Sequence, residues 1–198
     1  RQFIELYPVT PRNPQTGFLH LCFEGANLYA IHDYYVANGL SPISVRTAGA
    51  GNLLFTLKRP QQPDFLQNME YTQYMPASMH SRDFGKDLGP DRVADTMVLV
   101  KLAMQDPAAA RAFYIDKVGF TPSKKNPMLL NLPGNSGEQI EIVPATPLGA
   151  KASIAITTPS LSKSESELKQ QGIPFTRSKG AITITDPDGN ILRIESQS

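Results

Sequence analysis

Alternating apolar and polar positions mark one short strand that recurs along the chain. It occurs at residues 3–8, 69–71, 140–144 and 192–195. Three of the four copies carry a glutamate at the same position, and the fourth carries an arginine: Glu5, Glu70, Glu141 and Arg193. Self-similarity of this kind indicates a repeat architecture.

The same series of elements precedes each of the last three copies: an alternating strand, a capped helix, a glycine near the helix end, and further strands. The predicted opening strands are residues 18–24, 97–104 and 152–157. The predicted helix N-caps are Asn27, Asp106 and Ser160, and the predicted terminators are Gly39, Gly119 and Gly172. The sequence therefore predicts three complete modules of strand, helix and two or three strands.

The positions of aromatic residues support this repeat. Aligning the first two caps places Tyr34-Tyr35 over Phe113-Tyr114, seven and eight residues past each cap.

One module cannot bury both faces of its own sheet, so we expect the modules to pair. Residues 2–8 read as the end of a module whose beginning is absent, which predicts that this chain is the C-terminal part of a longer polypeptide. The alternative is a short strand that covers a sheet edge.

Composition limits the classes of function. The chain has 198 residues, of which 40% are hydrophobic, enough for a substantial core. A net charge of +1 without a basic run argues against a nucleic-acid partner. No apolar stretch approaches membrane-spanning length, so no membrane partner is expected. The single cysteine, Cys22, excludes an internal disulfide framework and predicts a reducing, cytoplasmic compartment.

Two segments, residues 106–120 and 186–194, resemble the vicinal-oxygen-chelate superfamily, which includes glyoxalase I, bleomycin-resistance proteins and extradiol dioxygenases. The resemblance implies an α+β fold of βαβββ modules paired into cup-shaped half-barrels, the first module truncated at its N-terminus. It implies a first module pair over residues 1–76, a linker over 77–94 and a second pair over 95–198. The truncated module would pair with residues 15–76, and the missing N-terminal strands of the same polypeptide would complete it.

Alternation in the opening strand of the first complete module places His20 and Cys22 on one face, suited to a polar cavity. In the closing strand, Glu70, Thr72 and Tyr74 share a face. The resemblance implies metal ligands on the first and last strands of each module, which fall on Glu5, His20 and Glu70, with a fourth on the missing strand. Such a set suits divalent Zn, Ni, Mn or Fe. Without the resemblance, a structural histidine and solvated glutamates remain the simpler interpretation.

The second module pair is an internal control for this assignment. The same alignment places Leu99, Glu141, Ser153 and Arg193 at its ligand positions. Leucine cannot coordinate, and arginine presents only donors. The second pair is therefore predicted to be metal-free and to provide structural support, a lid, or a second binding site in which Arg193 holds an anion.

The resemblance implies a divalent-metal enzyme of glyoxalase type, with lyase or isomerase chemistry on a small substrate that has adjacent oxygen atoms. Glu70 or Glu5 would be its catalytic base. The candidate substrate-binding residues are Cys22, Phe55, Thr72 and Tyr74. The alternatives are an Fe(II) extradiol-type dioxygenase and a metal-free, bleomycin-resistance-like protein that binds an antibiotic-like molecule in an apolar cup lined by Phe55 and Tyr74.

Overall fold

The computed structural model describes residues 4, 8–11, 20–58, 68–79, 92–134, 136–145 and 153–197. The chain divides into two compact units. The first is built mainly from Phe3–Lys86 and includes Ala112–Val118, and the second is built from Asp87–Arg111 and Gly119–Ser198. Among the described residues, no helix is long and apolar enough to span a membrane.

The described part of residues 3–86 contains a four-stranded sheet with an α-helix against it. Its elements are β1 (Leu21–Glu24), α1 (Leu28–Ala37), β2 (Arg46–Thr47), β3 (Leu53–Lys58) and β4 (Asn68–Gln73). The strand order is β1-β4-β3-β2; β1 runs parallel to β4, and the other neighbours are antiparallel. The opening and closing strands of the module therefore lie side by side.

Helix α1 forms where its cap predicts. Asn27 Oδ1 accepts a hydrogen bond from the Ala30 amide at 3.1 Å, which satisfies one of the unpaired N–H groups of the first turn. At the other end, Gly39 adopts a φ of 76°, a left-handed conformation that glycine reaches without strain. Leu28 and Tyr35 are the buried positions of this helix.

The second unit contains an eight-stranded sheet. Its strands are β5 (Thr96–Met104), β6 (Thr121–Pro122), β7 (Leu129–Asn131), β8 (Gln139–Pro144), β9 (Ser153–Thr158), β10 (Thr176–Ser178), β11 (Ala181–Thr185) and β12 (Ile191–Ser196). Their order is β10-β11-β12-β9-β5-β8-β7-β6. The opening strands β5 and β9 pair antiparallel at the centre, and each runs parallel to the closing strand of its own module.

This strand order is the predicted pairing of two βαβββ modules into a cup-shaped half-barrel, and the α+β fold class is confirmed. One face of the sheet carries the apolar core, because alternate residues of each strand point the same way. Its fully buried members include Leu130, Ile140, Ile142, Ile182 and Ile194. The opposite face is the inner face of the cup.

Two further helices begin at the predicted caps. Asp106 Oδ1 accepts from the Ala109 amide at 2.9 Å ahead of α2 (Pro107–Phe113), which continues as a π-helical turn over Tyr114–Val118. Ser160 Oγ accepts from the Lys163 amide at 3.2 Å ahead of α3 (Leu161–Gln170). Leu161 and Leu168 of α3 pack against Ile182 and Ile194, which confirms the predicted buried stripe of this helix.

The aromatic alignment is reproduced in part. Tyr35 and Tyr114, both eight residues past their caps, are buried at 3% and 0% exposure. Tyr34 is largely exposed, whereas its counterpart Phe113 is buried. The predicted orphan strand at residues 2–8 falls almost entirely outside the described residues, and most of the predicted linker at 77–94 does as well.

Candidate functional site

The structure brings Cys22 and Glu70 together on the inner face of the first unit. The two residues are direct partners in the parallel pairing of β1 with β4. The Cys22 thiol donates to Glu70 Oε1 at 3.6 Å. Cys22 is exposed and Glu70 is half-buried, whereas their neighbours Met69 and Tyr71 are buried on the other face. The predicted alternation of β1 and β4 is therefore confirmed over the described residues.

Thr72 lies two residues beyond Glu70 on the same strand and therefore on the same face. It is 8% exposed, and its hydroxyl donates to the Leu53 carbonyl of β3 at 3.3 Å. Across the antiparallel pairing, Thr56 lies opposite Glu70. The carboxylate thus shares its face of the sheet with Cys22, Thr56 and Thr72.

Two other predicted residues lie just outside the strands. His20 precedes β1 by one residue and is half-buried, rather than lying inside a longer strand. Tyr74 follows β4 by one residue and is also half-buried. Their positions in the sequence place them at the ends of the two strands that carry Cys22 and Glu70.

The assignment of Phe55 to the cup is corrected by the structure. Phe55 pairs with Tyr71 across β3 and β4, and their rings stack at 5.0 Å with an interplanar angle of 12°. It is fully buried, and its ring centroid lies 6.4 Å from that of Tyr35 on α1. Phe55 therefore faces the helix, on the opposite side of the sheet from Glu70, and contributes to the core.

The predicted metal ligands are only partly described. Glu5 lies outside the described residues. Within the part of the chain that the structure describes, no three His, Cys, Asp or Glu side chains form a group that could hold a metal ion. The described residues thus supply an adjacent thiol and carboxylate, with His20 two residues along the chain from the thiol.

Two raised pKa values in the first unit belong to tyrosines behind the site, on the helix-facing side of the sheet. Burial raises the pKa of Tyr35 to about 12, and burial together with the neighbouring Tyr35 also raises the pKa of Tyr71. The two hydroxyl oxygens are 2.5 Å apart. Both hydroxyls are therefore neutral near pH 7, and each satisfies the other within the buried side of the sheet.

The inner face of the second unit carries charged residues at the matching positions. Lys101 of β5 is the direct partner of Glu141 on β8, as Cys22 is of Glu70. Its Nζ lies 2.9 Å from Glu141 Oε2. Arg193 of β12 pairs with Ala155 of β9.

These registers support the alignment of the modules. Glu70 pairs with Cys22, two residues after the predicted ligand His20. In the same way, Glu141 pairs with Lys101, two residues after Leu99, and Arg193 pairs with Ala155, two residues after Ser153. Lys101 itself was not predicted as a site residue. The sequence does hold a signal for it, because Lys101 is the one charged residue in the apolar strand 96–104.

Comparison with solved structures supports the fold. An Mn(II)-bound glyoxalase from Novosphingobium aromaticivorans superimposes with a TM-score of 0.60 at 18% identity, covering 90% of this chain and 62% of its own. A homoprotocatechuate 2,3-dioxygenase from Arthrobacter globiformis superimposes with a TM-score of 0.61 at 14% identity, covering 90% of this chain and 61% of its own. An extradiol ring-cleaving dioxygenase from B. fuscum superimposes with a TM-score of 0.62 at 13% identity, covering 90% of this chain and 55% of its own.

These matches show that the chain shares the fold of these glyoxalase and dioxygenase structures, which is the fold that the sequence resemblance predicts. The chain spans less than two thirds of the length of these three structures. No protein-family model matches the sequence, and no curated protein matches it either.

Proposed function

We propose that this chain is part of a divalent-metal-dependent enzyme of the vicinal-oxygen-chelate type, acting on a small substrate that has adjacent oxygen atoms. The observation that carries the proposal is the side-by-side position of Cys22 and Glu70 on the inner face of the first unit. This register places Glu70, one expected ligand, beside Cys22, and the other expected ligand of the module, His20, lies two residues before Cys22.

The chemistry of the donors fits a divalent transition metal. Glu5, His20 and Glu70 would hold the ion, since one imidazole and two carboxylates are ligands that Zn, Ni, Mn and Fe(II) accept. The similar solved structures include one described as Mn(II)-bound. When bound, the ion would supply Lewis acidity toward the substrate oxygens.

The protein groups would do the remaining work. Glu70 is half-buried beside Thr56 and Thr72, a position from which a carboxylate can accept a proton from a substrate carbon and return it. Glu5 is the other candidate base. Cys22, Thr72 and Tyr74 remain the proposed substrate contacts, and Phe55 is excluded from this role because it faces the helix.

Isomerase or lyase chemistry is preferred to dioxygenation. Two carboxylates with one histidine match the four-ligand, isomerase-type arrangement that the resemblance implies, whereas the extradiol type needs two histidines. The dioxygenase type also places its metal in the second module pair, where Leu99 and Arg193 occupy ligand positions.

Substrate reactions distinguish the two types. The full-length protein, loaded separately with Mn(II), Ni(II), Zn(II) or Fe(II), is incubated with hemithioacetals of 2-oxoaldehydes and, in parallel, with catechols under air. Hemithioacetal isomerisation without oxygen consumption supports the proposal. Oxygen consumption with catechol ring cleavage supports the dioxygenase alternative instead.

A metal-free binding protein is the second candidate. It is favoured by one observation, that the described residues bring a thiol and a carboxylate together but no group of three donors. Such a protein would hold a small antibiotic-like molecule against Cys22, Thr72 and Tyr74. A small molecule that still binds tightly after exhaustive chelation of metal ions would favour this candidate.

A further inference from the structure

We propose that the outer face of α1 is a contact surface for a second copy of this chain, which packs its own α1 antiparallel across a two-fold axis. The outer face is the side of the helix turned away from the sheet, and it is formed by Tyr29, Ala30, Asp33, Tyr34, Val36 and Ala37. The proposal concerns a different surface from the candidate metal site and does not depend on the function proposed for that site.

The outer face of α1 is apolar. Its large residues Tyr29, Tyr34 and Val36 are 58%, 46% and 51% exposed. Residues 27–38 contain no lysine or arginine, and Asp33 is their only acidic residue. A helix that is apolar on every side is normally covered on every side. The composition of α1 therefore indicates that another surface packs against its outer face.

Helix α3 is an internal control for this pattern. When the caps Asn27 and Ser160 are aligned, the outer-face positions of α1 fall on polar residues of α3: Ser162, Lys163, Ser166, Glu167, Lys169 and Gln170. This is the pattern of a helix whose outer face lies in water. The apolar outer face is thus a property of α1 and not of the repeated module.

One contact within the first unit lies at the C-terminal end of α1. Lys117 belongs to the segment Ala112–Val118 of this unit, and its Nζ donates to the Asn38 carbonyl at 2.8 Å. Ala30 and Ala37, by contrast, are exposed, as is Asp33 between them. The middle of the outer face is therefore open to another molecule.

The outer face is self-complementary about its midpoint, which lies between Asp33 and Tyr34. Ala30 lies as far before this midpoint as Ala37 lies after it. In a two-fold contact, residue i of one copy meets residue j of the other, and j meets i. Antiparallel packing about the midpoint then sets Ala30 against Ala37 of the second copy and Asp33 against its Tyr34.

Shape and charge both fit this pairing. Two facing alanines let the helix backbones approach closely, so Tyr29 and Val36 can pack around the crossing point. The Asp33 side chain, 82% exposed, meets a hydroxyl that can donate to it instead of a second carboxylate. Asp33 Oδ1 also contacts His32 Nδ1 at 3.3 Å, and a carboxylate has acceptor sites beyond that contact.

The size of the surface sets the expected strength of association. Helix α1 has ten residues and is about 15 Å long. Two helices of this length that cross each other form a contact of the small class, below about 1,200 Å² in total, which is typical of weak and transient complexes. The dimer is therefore expected to dissociate on dilution.

Sedimentation equilibrium of the full-length protein measures this association from about 1 µM to about 1 mM. A mass that doubles as the concentration rises is expected. Ala37→Lys should raise the dissociation constant at least tenfold, because it sets a lysine against Ala30 of the second copy. The matched control Lys163→Glu, on the outer face of α3, should leave the dissociation constant unchanged.

A double variant tests the antiparallel arrangement. Ala30→Glu alone should weaken association as Ala37→Lys does. Both substitutions in one chain set opposite charges against each other across the two-fold axis, and should bring the dissociation constant back to within about threefold of that of the unaltered protein. Glutamate suits the N-terminal half of a helix and lysine the C-terminal half, so circular dichroism should show an intact α1.

Three results would overturn the proposal. A constant mass over the whole concentration range would mean that another part of the polypeptide or a different partner covers α1. Association that is equally strong in Ala37→Lys, Ala30→Glu and the unaltered protein would place the contact elsewhere. A double variant that associates as weakly as the single variants would contradict the antiparallel pairing.

Discussion

The Cys22 thiol contacts the Glu70 carboxylate at 3.6 Å, on the two strands that open and close the first module. The equivalent contact in the second unit joins Lys101 to Glu141 at 2.9 Å. The repeated strand pairing therefore places a thiol beside the carboxylate of Glu70 and an ammonium beside the carboxylate of Glu141. An ammonium already paired with the carboxylate leaves less reason for a metal ion at Glu141 than at Glu70.

Glu70→Gln is expected to lower turnover of the true substrate by 10²- to 10⁴-fold, the range typical of losing a general base. The amide keeps the size of the side chain but cannot accept the proton. Steady-state kinetics on the metal-loaded protein measure the effect. Glu167→Gln on α3 is the control and should retain full activity. An unchanged turnover number in Glu70→Gln would assign the base to another residue.

Tyr71→Phe is expected to destabilise the first unit by about 1–3 kcal/mol, because the buried Tyr35 hydroxyl loses its partner at 2.5 Å. The double variant Tyr35→Phe with Tyr71→Phe should recover most of this loss, since neither polar group then remains. Urea unfolding followed by circular dichroism measures both free energies. If the double variant lost as much as the sum of the single variants, the hydroxyl pair would not be coupled.

Alkaline pH is expected to destabilise the protein through the same pair. The pKa of Tyr35 is raised to about 12 by burial, above its ordinary value of 10, so the folded state holds this proton more tightly than the unfolded chain. The stability that Tyr35 contributes is fully present below pH 10 and is lost as the pH rises from 10 toward 12.

Absorbance at 295 nm follows tyrosinate formation and tests this pH dependence. Tyr35 should ionise near pH 12, and Tyr71 only at a higher pH or on unfolding. The Tyr35→Phe variant should show a shallower loss of stability between pH 10 and 12. Ionisation of every tyrosine near pH 10 in the folded protein would contradict the burial of this pair.

Ser160→Ala is expected to cost about 1 kcal/mol, because α3 loses the side-chain oxygen that caps the Lys163 amide. Ser162→Ala, inside the same helix, is the matched control and should be neutral or slightly stabilising, since alanine is the better helix former. Thermal unfolding compares the two variants. Equal melting temperatures for both would show that the cap contributes nothing measurable.

The sequence predicted the features that depend on local chemistry. The caps Asn27, Asp106 and Ser160 act within three residues, so their helices begin where expected. The alternation of β1 and β4 was also readable, because buried Met69 and Tyr71 flank half-buried Glu70. These patterns are short and do not depend on how distant strands meet.

Two features of the site were missed: the face of Phe55, against a local signal, and the contact of Lys101, which depends on long-range pairing. Phe55 was placed in the cup, although Leu53, Phe55 and Leu57 form the apolar alternation that marks a core-facing side. Its stacking on Tyr71 is decided by the pairing of β3 with β4. Lys101 was not predicted, because its contact with Glu141 joins residues 40 positions apart. The alignment of the modules placed Leu99, not Lys101, at the ligand position.

Elemental analysis of the full-length protein tests the central claim most directly. The protein is purified without chelator or a metal-affinity tag, beside His20→Ala and the control Arg193→Ala. About one transition metal per chain, lost in His20→Ala and retained in Arg193→Ala, is the predicted result. Full metal content in His20→Ala, or no metal in any of the three after reconstitution, would contradict the proposed site.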